Sequence, residues 1–451
     1  MTPTDPRDVL AKAGMSSLQI VAVAITIALN ALDGFDVLSI SYASPGIATQ
    51  WGIDRAALGI VLSMELIGMA VGSMALGGVA DKIGRRPTVL GCLIVMASGM
   101  FMATTATNVV VLSTWRVITG LGIGGMLAAI NAISAEFANT KRRHLCVSLM
   151  SIGYPVGAVV GGVIASWLLR SNDWRAVFYL GTGMTTLCIP LVWFLVPESV
   201  HWLVRKQPAG ALENVNRTFQ RMGHSPVAAL PEIAPEVRAR SIGDVFAPGL
   251  LPITVMLTLA YFFHIVTFYF IAKWVPKIVV DMGFPPSSAA GVLVWTNVGG
   301  AIGGAVLGLL TTRFPVKPLT IFVMLLSTVG VAWFGRAPAD LDTLSKICAF
   351  AGFCTNAGIV GLYAILAQAF PTHVRAFGTG FAVGVGRGGS VLAPIIAGFL
   401  FNAGMILPTV ALIMALGSMA AAGVLLMLNL SSDRASAEPD HAPGGLKPSL
   451  A

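Results

Sequence analysis

Twelve apolar runs, most of them about twenty residues long or longer, punctuate this chain, and a soluble fold has no use for so many. A helix needs about 20 apolar residues to cross the hydrocarbon core, where each backbone group must find its partner within the segment. The runs lie near 17–43, 56–80, 88–106, 109–136, 145–169 and 175–196, then 251–280, 287–311, 317–335, 346–369, 376–402 and 406–429. They predict an all-α membrane protein of twelve transmembrane helices in two six-helix halves. Composition agrees, with 11% of residues charged against about 25% in a soluble domain.

The one long polar stretch, 197–250, falls between the sixth and seventh runs. It divides the chain into a first unit at 1–196, a linker loop at 197–250 and a second unit at 251–430, with a disordered tail expected at 431–451. The first run is too long for the apolar region of a cleavable signal and is read as a span that stays. Of the 28 Lys and Arg residues, nineteen fall on one side of the predicted spans, seven on the other, and Arg116 and Arg387 within them. Short basic connections stay in the cytoplasm, so both termini are expected there, in a bacterial-type inner membrane. The net charge of +8 is thereby read as topology, and a nucleic-acid partner is excluded. Cys92, Cys146, Cys188, Cys348 and Cys354 have no metal-ligand spacing and read as packing residues. No metal or other cofactor, and no catalytic residue, is expected.

Charges inside apolar runs are the most informative residues, since each costs at least a few kcal/mol at mid-membrane. Asp33 and Asp36 stand three apart in the first run and share a helix face. Neighbouring carboxylates in a low dielectric retain a proton more readily than either alone, which suits proton coupling; the alternative is pairing with a base such as Arg116 to hold helices together. Arg387 follows Arg375 by twelve residues, about 18 Å of helix at 1.5 Å per residue, which carries it to the midplane. Its guanidinium matches a carboxylate with two parallel hydrogen bonds. Arg116 opens a run containing Gly120, Gly122, Gly124 and Gly125 and reads either as a proton relay or as the partner of Asp33 or Asp36. Glu65 is expected high enough to reach water, His264 to pack by hydrogen bonding, and Lys273 and Lys277 to extend toward the interface. The candidate substrate contacts are Arg387, Asp36, Tyr269, Trp295, Asn297 and Tyr363.

The halves echo one another. Gly77-Gly-Val-Ala-Asp81-Lys82-Ile-Gly84-Arg85-Arg86 follows the second run, and Gly308-Leu-Leu-Thr-Thr312-Arg313 follows the eighth without the aspartate. Such a repeat fits a transporter whose site lies between its halves. The 77–86 stretch resembles the signature loop of the major facilitator superfamily, and Arg116 with its glycines resembles that family's second motif. Pro197-Glu198-Ser199 with Trp202-Leu203 resembles the end of span 6 in its symporter branches. Leu32-Asp33-Gly34-Phe35-Asp36 is similar to the Asp-Gly-x-Asp motif of the aromatic acid:proton symporters. The stretch from Pro371 through Arg375, Gly378 and Gly380 to Gly386-Arg387, Gly389-Ser390 and Pro394 resembles that branch through span 11.

That resemblance covers nearly the whole chain. It implies a monomeric symporter that imports a small aromatic acid with a proton across the lipid bilayer. Asp33 and Asp36 would couple proton to substrate. Gly77, Asp81, Gly84 and Arg85 would form a cytoplasmic gate with Glu136 and Arg375, and Arg375 and Arg387 would be needed for transport. Glu65 is no part of the pattern, and Lys273 stands where a neutral residue is expected before Trp-x-Pro. The alternatives are a symporter for a non-aromatic organic acid, a drug antiporter (for which Gly153-Tyr154-Pro155-Val156-Gly157 is a weak likeness) and a sensor without an output domain.

Overall fold

The structure, a computed structural model, describes residues 5–232, 245–371 and 374–428. The expected tail at 431–451, and Thr372 and His373 of the span-11 stretch, lie outside the described residues. A short α1 (Pro6–Lys12) precedes the spans α2 (Ser17–Trp51), α3 (Arg55–Ile83), α4 (Arg85–Thr104), α5 (Val109–Phe137), α6 (Arg143–Leu168) and α7 (Arg175–Leu195). After α8 (Val200–Lys206) and α9 (Ala211–Met222) come α10 (Leu251–Asp281), α11 (Pro286–Leu310), α12 (Val316–Phe334) and α13 (Leu341–Ala369). Then α14 (Arg375–Gly386) and α15 (Gly388–Asn402) form one interrupted span, and α16 (Leu407–Met427) completes, among the described residues, twelve helices long and apolar enough to cross a membrane.

Polar side chains set several boundaries. Ser16 and Gln19 cap the start of α2 reciprocally, and Asp54, Asn108 and Asp340 each accept a backbone N–H at the start of α3, α5 and α13. The first span runs past the expected 43 to Trp51, through Pro45. Two hydroxyls of its polar-looking end turn onto carbonyls, which suits them to burial: Ser39 donates to Asp36 O at 2.6 Å and Ser44 to Ser41 O at 2.9 Å. Within the linker, α9 presses Val215, Phe219 and Met222 into the core of the first half and leaves Glu213 and Arg217 paired outside.

Helix ends near 83–85, 137–143, 195–211, 310–316 and 369–375 define the basic end; the other end is the far end. The buried apolar side chains divide accordingly. One cluster at the far end draws on both halves, from Phe35, Tyr42 and Trp174 to Trp274, Leu293 and Phe401. Toward the basic end each half keeps its own cluster, one around Met126, Ile130 and Phe219, the other around Leu257, Leu366 and Phe370. The halves meet through α3 against α15, α6 against α11 and α2 against α10, whereas α14 packs on α10 and α13 of its own half. The molecule is joined at the far end and divided at the basic end.

Candidate functional site

The acids of the first half are fully enclosed. Asp33 is 2% exposed and Asp36 0%, and no carboxylate oxygen of either receives a hydrogen bond. Asp36 lies against Gly181 of α7, inside its own half. Glu65 is also 0% exposed, which corrects the expectation that it reaches water.

Arg116 does not bind the carboxylate of Asp33 or Asp36. Its Nη2 approaches Glu65 Oε2 at 2.5 Å and donates to the backbone carbonyl of Asp36 at 3.1 Å, while the guanidinium lies over the Phe178 ring. Packing explains the choice. Gly68 of α3 meets the Val117 carbonyl and Gly120 of α5 meets the Glu65 carbonyl, and a Cβ at either position would overlap the facing backbone. Only glycine permits this approach, which delivers Glu65 to Arg116.

Lys273 of α10 reaches the same place from the other half. It is 0% exposed, donates to Val37 O of α2 and stands 3.7 Å from Glu65 Oε2. The expected extension toward the interface is therefore wrong for Lys273, though it describes Lys277, which pairs with Asp281 beside the cross-half bond from Arg55 to Asp281 at 3.1 Å. Sequence reasoning missed the trio Glu65, Arg116 and Lys273, because the residues belong to three separate helices.

In the second half the eleventh span breaks where glycines crowd it. Gly384 and Gly386 precede Arg387, Gly388 and Gly389 follow it, and α14 ends there; glycine lowers helix stability by about 1 kcal/mol per residue. The twelve residues of α14 run from Arg375 to Gly386, and Arg387 follows directly. Its guanidinium lies within electrostatic reach of the hydroxyls of Tyr261, Tyr269 and Tyr363. Tyr261 and Tyr363 share a hydrogen bond at 3.2 Å. Tyr269 packs against all three large apolar clusters, so it stands where the halves part. Tyr154 of α6 faces this centre from the first half, within reach of Asp33, Glu65, Tyr269 and Arg387. In the sequence its stretch carries only the weak antiporter likeness.

Other expected residues scatter. Trp295 is 53% exposed on a stripe of α11 with Ile302, Val306 and Leu309, the pattern of a lipid-facing surface. Asn297 points elsewhere on α11, partly buried, its amide bonded to Leu293 O. His264 packs as expected: Nε2 donates to Thr355 O at 2.8 Å, leaving Nδ1 to accept from Ser418.

At the basic end Arg85 bridges Asp81 at 2.7 Å and Glu136 at 3.5 Å. Gly84, at φ +113°, turns the chain so that Glu198 accepts the backbone N–H of Arg85 at 3.0 Å and of Arg86; a Cβ at Gly84 would strike that carboxylate. Burial raises the proton affinity of Glu198 against the pull of those N–H groups, and burial lowers that of neighbouring His201. Gly77 lies on α3 near Ala128. Arg375 is exposed and donates to Phe370 O in its own half.

Comparison with known proteins agrees with the twelve-helix fold. The sequence model for the Major Facilitator Superfamily matches residues 25–341 and 257–450. Among relatives, a gallate transporter of Pseudomonas putida is 27% identical, covering 94% of this chain and 95% of that one. The 4-hydroxybenzoate transporter PcaK of the same species is 30% identical over 80% and 81%, and a benzoate transport protein of Acinetobacter baylyi 27% identical over 90% and 88%. The inward open xylose transporter XylE from E. coli superposes with a TM-score of 0.71 at 18% identity, over 92% of this chain and 98% of that one. The chain is a multi-pass membrane transporter, not an enzyme, and it belongs to the Major Facilitator Superfamily, where its relatives carry aromatic acids.

Proposed function

We propose that this protein imports a small aromatic carboxylate together with a proton, by alternating access, across a bacterial-type inner membrane with its basic end and termini in the cytoplasm. The observation that carries the reading is Arg387 at the junction of α14 and α15, an always-charged guanidinium within electrostatic reach of the hydroxyls of Tyr261, Tyr269 and Tyr363. A carboxylate there meets a forked donor. Tyr261 and Tyr363 offer hydroxyls to ring substituents, Tyr269 an aromatic face, and Tyr154 and Asn297 further polar contacts. Asp33 and Asp36 hold the coupled proton within the first half, with Arg116 ordering the backbone of Asp36 rather than neutralising its side chain. Loading anion and proton together reduces the charge that the closed intermediate must bury.

The units 1–196 and 251–430 rock about this centre, the chain acting as a monomer within the bilayer. Gly77, Asp81, Gly84, Arg85, Glu136 and Arg375 serve the cytoplasmic gate, with Asp81, Arg85 and Glu136 as its ion-pair network. The relatives named for gallate, 4-hydroxybenzoate and benzoate support an aromatic cargo. The test is uptake into proteoliposomes under an imposed pH gradient, with labelled gallate, 4-hydroxybenzoate, benzoate and aliphatic acids. Accumulation of an aromatic acid that collapses with the gradient is expected. Accumulation of aliphatic acids alone would favour a non-aromatic cargo, and accumulation indifferent to the gradient would remove proton coupling.

A further inference from the structure

Two bonds between the halves lie deep in the molecule and are carried by one side chain. Lys273 crosses from α10 to Val37 O of α2 and to Glu65 of α3. Both Lys273 and Glu65 are 0% exposed. Glu65 lies ten residues into α3, about 15 Å from its far end, so the pair forms the floor of the region where the halves share one apolar cluster. The remaining polar bonds across the interface among the described residues, Arg55 to Asp281, Ser63 to Val391 O and Ser166 to Ser287 O, lie at the same depth or nearer the far end.

The pair is also incompletely satisfied. Neither Glu65 oxygen receives an aligned N–H, although Arg116 and Lys273 both stand beside it. A buried ion pair whose donors and acceptors are not all matched adds little net stability, yet removing one partner leaves a buried charge uncompensated. Such a contact is poorly suited to hold a fold together and well suited to be made and broken. Arg116 reaches Glu65 from within the first half, so this contact does not cross the interface. Lys273 alone depends on the halves being together at the far end.

We propose that Glu65 and Lys273 form an ion-pair latch between the halves that holds the far end shut and must break for that end to open. The latch uses two residues outside the resemblance to aromatic-acid symporters, and it concerns the conformational cycle whichever anion is carried. Opening moves Lys273 away from Glu65, and its ammonium then depends on water for the partners it has lost.

The test reads opening directly, in purified protein without substrate, so a wrong assignment of cargo does not affect it. Ser166→Cys places a thiol where the hydroxyl of α6 is bonded to Ser287 O of α11, at an interface remote from Glu65. The five native cysteines are buried and supply a slow background. In this background Lys273→Met and Glu65→Gln should each speed modification by a maleimide about tenfold or more, and the double variant should be no faster than the faster single one. The native cysteines of the same variants without Ser166→Cys should stay slow, which separates parting of the halves from general loosening. If one variant fails to fold, the other carries the same reading. Rates unchanged or slowed in the folded variants, a double variant whose effect multiplies the two singles, or equally faster labelling of the native cysteines would each overturn the latch.

Discussion

The two halves share an architecture and differ in charge. In each, the second and fourth helices pack closely (α3 on α5, α11 on α13) through glycines set against the facing backbone. The first half then encloses three carboxylates, Asp33, Asp36 and Glu65, around one arginine, Arg116. The second offers cations to the centre, Arg387 among its tyrosines and Lys273 across the interface. The signature loop is asymmetric too: Asp81 binds Arg85 in the first half, and Thr312 stands at the matching place in the second. In the cycle we propose, the common scaffold is the rocking body, and its unequal decoration separates a proton-handling half from an anion-handling one.

The largest expected effect breaks the first side of this comparison. Asp33→Asn and Asp36→Asn should each abolish gradient-driven accumulation in proteoliposomes while substrate binding survives in detergent. Full pH-driven accumulation by both variants would show that the acids of the first half are structural. On the second side, Arg387→Ala should weaken binding of the transported acid by about 2–5 kcal/mol, roughly 30-fold to several thousand-fold in Kd. Arg387→Lys should do less harm, since it keeps the charge and loses the fork. Equilibrium titration of acid against its neutral amide checks this, and equal affinity for both in the wild type would place the anchor elsewhere.

A smaller effect is expected at the loop. Asp81→Asn or Arg85→Gln should slow turnover several-fold while Kd changes by less than about 1 kcal/mol, because a partly exposed pair contributes no more than that and lies away from the central tyrosines. Normal turnover with weakened binding would contradict a gating role. Smallest of all, Trp295→Ala should leave the Kd within about twofold, as surface substitutions usually do. A large loss of affinity would mean that the stripe of Trp295 and Ile302 faces the substrate path rather than lipid.

Apolar length and the crowding of basic residues at alternate turns are local properties, so the chain's order alone determined its class, its twelve spans and its division in two. The helix from Arg375 toward Arg387 was legible because rise per residue is constant, and the glycines around Arg387 announced irregularity there. The same arithmetic could not place Glu65 or Lys273. Each looks like a misplaced charge in its own helix, and each becomes intelligible only beside the other and Arg116, a meeting decided by how closely α3 and α5 approach and by the halves being shut at the far end. Tyr154 and the orientation of Asp36 toward α7 were hidden for the same reason. Sequence periodicity tells which face of a helix is turned, but the tertiary packing of neighbouring helices decides what that face meets.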